Sequence, residues 1–254
     1  MILIFRGHIR DSFKTKELYN LTKKLYNVFP DLKIFIHTWN IFANNISWRE
    51  ISYNSQPVNE TIIQGYFDDL KHLIHHVIID DDSKIQLIGN LCGNIGNGPM
   101  PIVGWKNYWY GKHKIIDFMI NTTDIDETEM VVNCRFDIMK NSNNFNEKTI
   151  MDFILNHRNQ HFTKNVFLFN DERHYGIDNI YIGNINTQHK LSTKFFYELD
   201  EILKKNKSTI NQEFLVYRIN YMLFYYTNVI LHDTRVKYKR SPSHNYSKSL
   251  LSAL

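Results

Sequence analysis

Residues 1–40, MILIFRGHIRDSFKTKELYNLTKKLYNVFPDLKIFIHTWN, decide the fold of this chain. Residues 1–5 form a continuous apolar run that stops at charged residues, a pattern typical of a strand buried on both faces. Apolar residues then recur at helical spacing over residues 18–28, before Pro30 interrupts them. A second apolar run, residues 32–37, begins two residues after this proline. The order strand, helix, strand predicts a right-handed parallel crossover.

The same alternation continues along the rest of the chain. Apolar periodicity predicts helices at 62–74, 105–120, 192–204 and 212–226, and strands at 76–79, 130–134, 166–169 and 179–182. This order favours an α/β fold with a Rossmann-type, mainly parallel sheet flanked by helices and a later mixed region. We expect one domain over residues 1–254, in which residues 1–140 bind the ligand and residues 141–254 add the mixed region and a basic tail.

Composition and charge exclude several classes of protein. The 254 residues are 43% hydrophobic and 14% aromatic, which indicates a globular and not a disordered chain. The net charge of +4 is too small to require a nucleic-acid partner. Two cysteines, Cys92 and Cys134, cannot build a disulfide framework or a four-ligand zinc site. The first apolar run is too short for a signal peptide, and polar residues interrupt the apolar region 214–231, so we expect a soluble, cytoplasmic protein without a membrane span.

Charged and polar residues follow each of the first four predicted strands. Ligands of open α/β sheets gather at the carboxyl ends of the strands, so these residues are the candidates for a site. They are Arg6-Gly7-His8-Ile9-Arg10, His37-Thr38-Trp39-Asn40, Asp80-Asp81-Asp82 and Arg135-Phe136-Asp137. A carboxylate beside arginines suits a diphosphate bridged by Mg²⁺ or Mn²⁺, and Asp137 fits the role of metal ligand. The alternative is that an arginine only forms an ion pair with Asp137 and holds the loop.

Motifs of other enzyme classes are absent from the sequence. The glycine-rich stretch 89–98 matches neither GxGxxG after a first strand nor GxxxxGK[ST], so it does not indicate a dinucleotide site or a P-loop. The histidines show no HExxH spacing and there is no GxSxG elbow. Cys134 lies inside an apolar run, where an inert buried thiol is expected rather than a nucleophile.

Five short motifs occur in an order that resembles a known group of enzymes. They are RGHIRDSF (6–13), LKIFIHTWN (32–40), WKNYWYGKHKIIDFM (105–119), VVNCRFDI (131–138) and GIDNIYIGN (176–184). In this order they resemble GT-A-like glycosyltransferases that large DNA viruses, algae and bacteria use to build surface glycans. In that group, a strand ending in RxD stands where other GT-A enzymes carry the metal-binding DxD motif.

The resemblance implies a role for each matching residue. Arg6, Gly7 and Arg10 would line the nucleotide pocket, and Thr38 and Trp39 would lie near the donor. Asp137 with Arg135 would hold the metal or the diphosphate. Asp178 would orient the acceptor hydroxyl or act as general base, and Arg235 in the basic tail would close over the diphosphate. Asp178 could instead cap a turn, and the tail could be solvated. The acidic triplet Asp80–Asp82 leaves the metal ligand open, because the fourth strand carries a cation at the first position of its motif.

The sequence and the resemblance together predict a glycosyltransferase that moves a sugar from a UDP- or GDP-sugar to a glycan or glycoprotein, with Mn²⁺ or Mg²⁺ as a possible cofactor and no nucleic-acid partner. Residues 1–140 would form the half that binds the nucleotide sugar, and residues 141–254 would form the acceptor-side half and the basic tail. Trp39, Trp105, Tyr108 and Trp109 could stack on sugar rings or belong to the core. The alternative from another class is a non-catalytic glycan- or nucleic-acid-binding module of the same fold. A further alternative is another phosphate-handling α/β transferase or hydrolase.

Overall fold

The computed structural model of the protein describes residues 1–47, 51–96, 98–140, 145–170, 175–206 and 211–232. Its strands are β1 (Ile2–Arg6), β2 (Lys33–Trp39), β3 (Ile41–Ala43), β4 (Asn54–Pro57), β5 (Ile74–Asp80), β6 (Val131–Arg135), β7 (Val166–Asn170) and β8 (Tyr175–Gly183). Its helices are α1 (Glu17–Val28), α2 (Glu60–Phe67), α3 (Ile102–Thr122), α4 (Glu147–Asn156), α5 (Ile185–Lys205) and α6 (Gln212–His232).

A six-stranded sheet in the order β5-β2-β1-β6-β8-β7 forms the centre of the fold. Strands β5, β2, β1 and β6 are parallel, whereas β8 and β7 are antiparallel to their neighbours. Because β6 pairs with β8, strands from residues 1–140 and from residues 141–254 join in one sheet. The expected mixed α/β fold with a mainly parallel sheet is confirmed.

The two faces of the sheet carry different helices. Leu3 and Phe5 of β1 pack with apolar residues of α1, α2 and α4, whereas Ile2 and Ile4 pack with residues of α3 and α5. A third apolar cluster joins α3, α5 and α6 to β7 and β8. The period-two alternation of β1 therefore divides its side chains between two helical layers.

The chain changes direction across the sheet between β1 and β6. The connection from β1 to β2 carries α1 on one face, and the connection from β5 back to β6 carries α3 on the other face. Such a switch in strand order leaves a crevice outside the carboxyl ends of the two strands, where open α/β sheets bind their ligands. Here Arg6 ends β1 and Arg135 ends β6, directly opposite each other in the register.

Several details of the sequence prediction are wrong. The helix predicted over 62–74 ends at Phe67, because Asp68 has a positive φ of 52° and a 3-10 helix follows. The sequence did not predict the antiparallel pair of β3 and β4, nor did it predict α4. Strand β7 ends at Asn170 and not at 169, and β8 begins at Tyr175 and not at 179, so the described residues between the two predicted strands belong to strands.

No helix in the described part of the chain is both long enough and apolar enough to cross a lipid bilayer.

Candidate functional site at the carboxyl edge of the sheet

The turn after β1 has a tightly held backbone. Gly7 has φ of +89°, a left-handed conformation that glycine adopts without a steric penalty. Arg10 has φ of +53°, which is rare for a residue with a Cβ atom and costs on the order of 1–2 kcal/mol. The Arg10 amide donates to the Phe42 carbonyl oxygen at 2.8 Å, and the Thr38 hydroxyl donates to the Gly7 carbonyl oxygen at 3.0 Å. A strained residue that its surroundings hold in place is a frequent feature of functional sites.

Two arginines bind the carboxylate of Asp137. Arg135 donates to both of its oxygens, from Nε and from Nη2, each at 2.8 Å. Arg10 Nη1 donates to Oδ2 at 2.5 Å. The Asp137 side chain is only 6% exposed, so water weakens these ion pairs less than it would on the surface. The turns after β1 and β6 are therefore joined through one carboxylate, the ion pair that the sequence left open as an alternative.

These surroundings do not suit a divalent metal at Asp137. Both carboxylate oxygens already accept hydrogen bonds from guanidinium groups, and a divalent cation would have to lie beside two positive charges. In the described ranges, no group of three or more histidine, cysteine, aspartate or glutamate residues could hold a metal ion. Two carboxylates of the acidic triplet Asp80–Asp82 also have partners already. Asp81 accepts a hydrogen bond from Ser83 and forms an ion pair with Lys84, and Asp82 accepts a hydrogen bond from Asn44. The expected Mn²⁺ or Mg²⁺ site stays a prediction that the geometry at Asp137 does not favour.

Arg6 lies beneath this pair of turns and is almost fully buried. Its Nε donates to Oδ1 of Asn133 on the neighbouring strand, and Nη2 donates to the Asp178 backbone oxygen at 2.8 Å. Its guanidinium carbon lies 4.4 Å from the ring centroid of Tyr108. Among the described residues, no carboxylate forms an ion pair with Arg6, and its Nη1 has no hydrogen-bond acceptor.

Asp178 and Asn179 bring β8 to the same edge. Strand β8 runs antiparallel to β6, so its first residues lie beside the carboxyl ends of the parallel strands. Arg135 Nη1 donates to Asn179 Oδ1 at 3.1 Å. Asp178 is 7% exposed, and no described residue donates a hydrogen bond to its carboxylate. A carboxylate in this state can accept a proton or a hydrogen bond from a ligand.

Lys112 on α3 packs against the same group. Its ammonium nitrogen lies 4.1 Å from the ring centroid of Tyr108, 3.9 Å from that of Trp109 and 4.8 Å from that of Tyr181. Burial lowers the pKa of Lys112 well below its ordinary value, and the positive charge of Arg6 acts in the same direction. Lys112 is not among the residues predicted from the sequence, although a signal is present: it lies four residues after Tyr108 and four before Ile116, on the apolar face of the helix.

Aromatic and acidic residues occupy the part of the edge next to β2 and β5. Trp39 is buried and its ring stacks on His8, with 5.7 Å between centroids. His37 is fully buried, and its Nε2 lies 3.1 Å from Asp80 Oδ2. Burial lowers the pKa of His8 to about 3, and Arg10 adds to this effect, so the imidazole is neutral at physiological pH. The structure thus brings Thr38 and Trp39 close to the turn after β1, as parts of its packing.

The remaining candidates fall in three groups. Trp105 and Trp109 are buried in the core, so they are not exposed for stacking on a sugar. Cys134 is buried as expected, and burial raises its pKa to about 12. Arg235 and the rest of the basic tail lie outside the described residues.

Comparisons with known proteins identify no family. No family model matches the chain, and no curated protein matches it. A search of solved structures found a crystal structure of an active-site mutant of LgtC, a GT-A glycosyltransferase, at 8% sequence identity. The match covers 95% of this chain and 81% of that one with a TM-score of 0.38, which is too low to support a functional argument.

Proposed function

We propose that this chain is a glycosyltransferase of the GT-A type, which transfers a sugar from a nucleoside-diphosphate donor to a glycan or glycoconjugate acceptor. The observation that carries the proposal is the meeting of three arginines at the switch point between β1 and β6. Arg10 and Arg135 share the carboxylate of Asp137, and Arg6 lies beside them without a carboxylate of its own among the described residues. Guanidinium groups bind phosphate oxygens in a planar, often bidentate geometry.

In this proposal the arginines stabilise the departing diphosphate. Negative charge develops on the leaving group as the bond to the sugar breaks, and positive groups that are already oriented favour that change. Asp137 is a positioning residue, since its two oxygens orient Arg10 and Arg135. We therefore expect transfer without a divalent cation, in contrast to the Mn²⁺ or Mg²⁺ expected from the sequence.

Asp178 is the proposed general base in an inverting reaction. Its carboxylate lies near Arg135 and Lys112 and has no hydrogen-bond donor among the described residues, so it can accept the proton of an acceptor hydroxyl. A retaining reaction would not need this base. The meeting of Asp178 with the arginines favours an enzyme over a binding module, which needs a cationic surface but no carboxylate in its pocket.

The first experiment is to measure the release of UDP or GDP from a panel of sugar nucleotides, in chelator and in Mn²⁺. A matched pair of variants tests the site: Arg135→Gln removes a guanidinium from the switch point, and Arg158→Gln removes one from an exposed position after α4. We expect Arg135→Gln to lose at least tenfold in kcat/KM while Arg158→Gln matches the wild type.

Binding of the nucleotide alone, compared with turnover, distinguishes a transferase from a non-catalytic binding module. UDP or GDP should raise the melting temperature of the wild type, because a ligand of the native state stabilises it. Binding without turnover of any donor would favour the non-catalytic module. If neither nucleotide binds and no donor is turned over, the proposal is wrong. A strict requirement for Mn²⁺ would refute the role given to the arginines.

A further inference from the structure

The backbone oxygen of Asp178 accepts hydrogen bonds from three side chains of two other elements. The Tyr108 hydroxyl donates at 2.6 Å, Arg6 Nη2 at 2.8 Å and Lys112 Nζ at 3.5 Å. A carbonyl oxygen has two lone pairs, so this set exceeds the ordinary capacity of the acceptor. Side chains of β1 and α3 thus fix a backbone position near the start of β8.

The two donors on α3 are well placed for this role. Tyr108 and Lys112 are four residues apart and therefore lie on the same face of the helix. Burial raises the pKa of Tyr108 well above its ordinary value, so its hydroxyl keeps the proton that it donates. Lys112 is fully buried, and the rings of Tyr108, Trp109 and Tyr181 surround its nitrogen at 3.9 to 4.8 Å. Neither side chain can leave without opening the packing between helix and sheet.

The main chain and the side chain of Asp178 differ in the hydrogen bonds that they accept. Three donors bind the backbone oxygen, while no described residue donates to the carboxylate. This arrangement fixes the location of the carboxyl group and leaves its oxygens available. A general base has these two requirements, because it must lie within hydrogen-bond reach of the proton that it takes and must have a lone pair free.

We propose that Tyr108 and Lys112 are positioning residues, which hold the main chain of Asp178 so that its carboxylate faces the acceptor at the cationic edge. The inference rests on the proposed function, in which Asp178 is the base. Neither residue touches the reacting atoms in this proposal; both act through the backbone of β8. A displacement of about 1 Å at a reacting group can cost on the order of 100-fold in rate, so loss of one donor should be measurable.

The variant Tyr108→Phe tests the proposal, because it removes one hydroxyl and keeps the ring under Arg6 and Lys112. Tyr197→Phe on α5 is the matched control, since that side chain is 57% exposed. We expect Tyr108→Phe to lower kcat at least tenfold while the KM for the donor stays within twofold. Backbone amides of residues 177–180 should exchange with deuterium faster than in the wild type, with the other sheet strands unchanged.

Lys112→Met is the second variant, because methionine fills a similar volume without a charge or a donor. Lys112→Met should also lower kcat by a larger factor than it changes the KM for the donor. It should also speed deuterium exchange at the backbone amides of residues 177–180. The longer 3.5 Å contact of Lys112 predicts a smaller effect than that of Tyr108→Phe. A similar loss in both variants with no change in exchange would contradict a role through the backbone.

The outcomes separate this inference from the proposed function. Wild-type exchange and wild-type kcat in Tyr108→Phe would overturn the inference while leaving the glycosyltransferase proposal intact. A general loss of protection in all strands would overturn it as well, since the hydroxyl would then serve the fold as a whole. If the wild type transfers no sugar but Tyr108→Phe still speeds exchange at 177–180 alone, the backbone contact is supported and the proposed function fails.

Discussion

Gly111 on α3 lies against His37 of β2, and its replacement by alanine should weaken the packing between this helix and the sheet. A Cβ atom at this position would lie 2.5 Å from His37 Nδ1 and 2.7 Å from its Cε1, closer than real Cβ contacts. The ring has little room to move, because His37 is fully buried and its Nε2 lies 3.1 Å from Asp80. The added methyl group must therefore push the helix away from the strand.

The size of the effect follows from two opposing contributions. Alanine inside a helix is more favourable than glycine by about 1 kcal/mol. Overpacking a well-filled core costs about 1–3 kcal/mol, and the short contact with a fixed ring favours the upper half of that range. We expect Gly111→Ala to destabilise the protein by roughly 1–2 kcal/mol, the difference between the two contributions.

A second glycine provides the matched control. Gly65 lies inside α2, and among the described residues, apart from its chain neighbours and the backbone of its own helix, no atom lies within 4 Å of the position that its Cβ would take. Gly65→Ala gains the same helix contribution without the clash, so it should stabilise the protein by about 1 kcal/mol. The difference between the two variants, about 2–3 kcal/mol, isolates the packing cost.

Thermal and urea unfolding of both variants is the assay. For a chain of this size, 1 kcal/mol corresponds to about 2–4 °C, so the melting temperature of Gly111→Ala should lie roughly 4–12 °C below that of Gly65→Ala. Gly111→Ala should also reduce turnover, because its neighbour Lys112 contacts the candidate base. Equal melting temperatures for the two variants would show that α3 does not approach β2 as described.

The remaining predictions concern charge and exposure. Asp137→Asn should destabilise the fold by about 3–5 kcal/mol in urea unfolding, because it removes the charge that two partly buried arginines share; a wild-type urea midpoint would contradict the ion pairs. His8 has a pKa of about 3 in the folded state and an ordinary pKa near 6.5 in the unfolded state. Between pH 6.5 and pH 3 the unfolded state therefore binds one proton more than the folded state. The free energy of unfolding falls by about 1.4 kcal/mol for each pH unit of acidification in this range. His8→Gln should flatten this part of the pH profile of the urea midpoint, and an unchanged slope would show that His8 titrates normally. A thiol reagent should modify the exposed Cys92 in the native protein and reach the buried Cys134 only after unfolding, so rapid native labelling of both would contradict the burial of Cys134.

The sheet could be predicted from the sequence because its signal is local. Apolar runs such as residues 1–5 and 32–37 are each contained in a few consecutive residues, and the crossover rule then fixes their parallel arrangement. Strand β8 was placed too late because its first residues, Tyr175 to Asp178, include polar positions whose partners lie on β1, β7 and α3. Tertiary contacts of this kind have no periodicity that a sequence window can detect.

The site could be predicted only in part for the same reason. The rule for strand ends placed Arg6, Arg10 and Arg135 near Asp137 or its turn, and they lie there in the structure, whereas their role in binding a donor stays a prediction. It could not decide whether Asp137 faces a metal or a guanidinium group, because that depends on side-chain directions across 127 residues of sequence. Lys112 was missed because the sequence does not show which side chains surround a lysine on the apolar face of a helix.

Arg6 is the residue that is hardest to explain by stability alone. A buried cation without a carboxylate partner costs several kcal/mol in free energy, and apolar replacements of buried charged groups are often neutral or stabilising. Arg6 nevertheless ends β1 with 1% of its surface exposed, and its Nη1 has no acceptor among the described residues. Arg10 and Arg135 have their charges balanced in part by Asp137, so Arg6 leaves positive charge in excess at the switch point. An anionic ligand at the crevice would supply the missing negative charge, so in the proposed function Arg6 serves binding rather than folding.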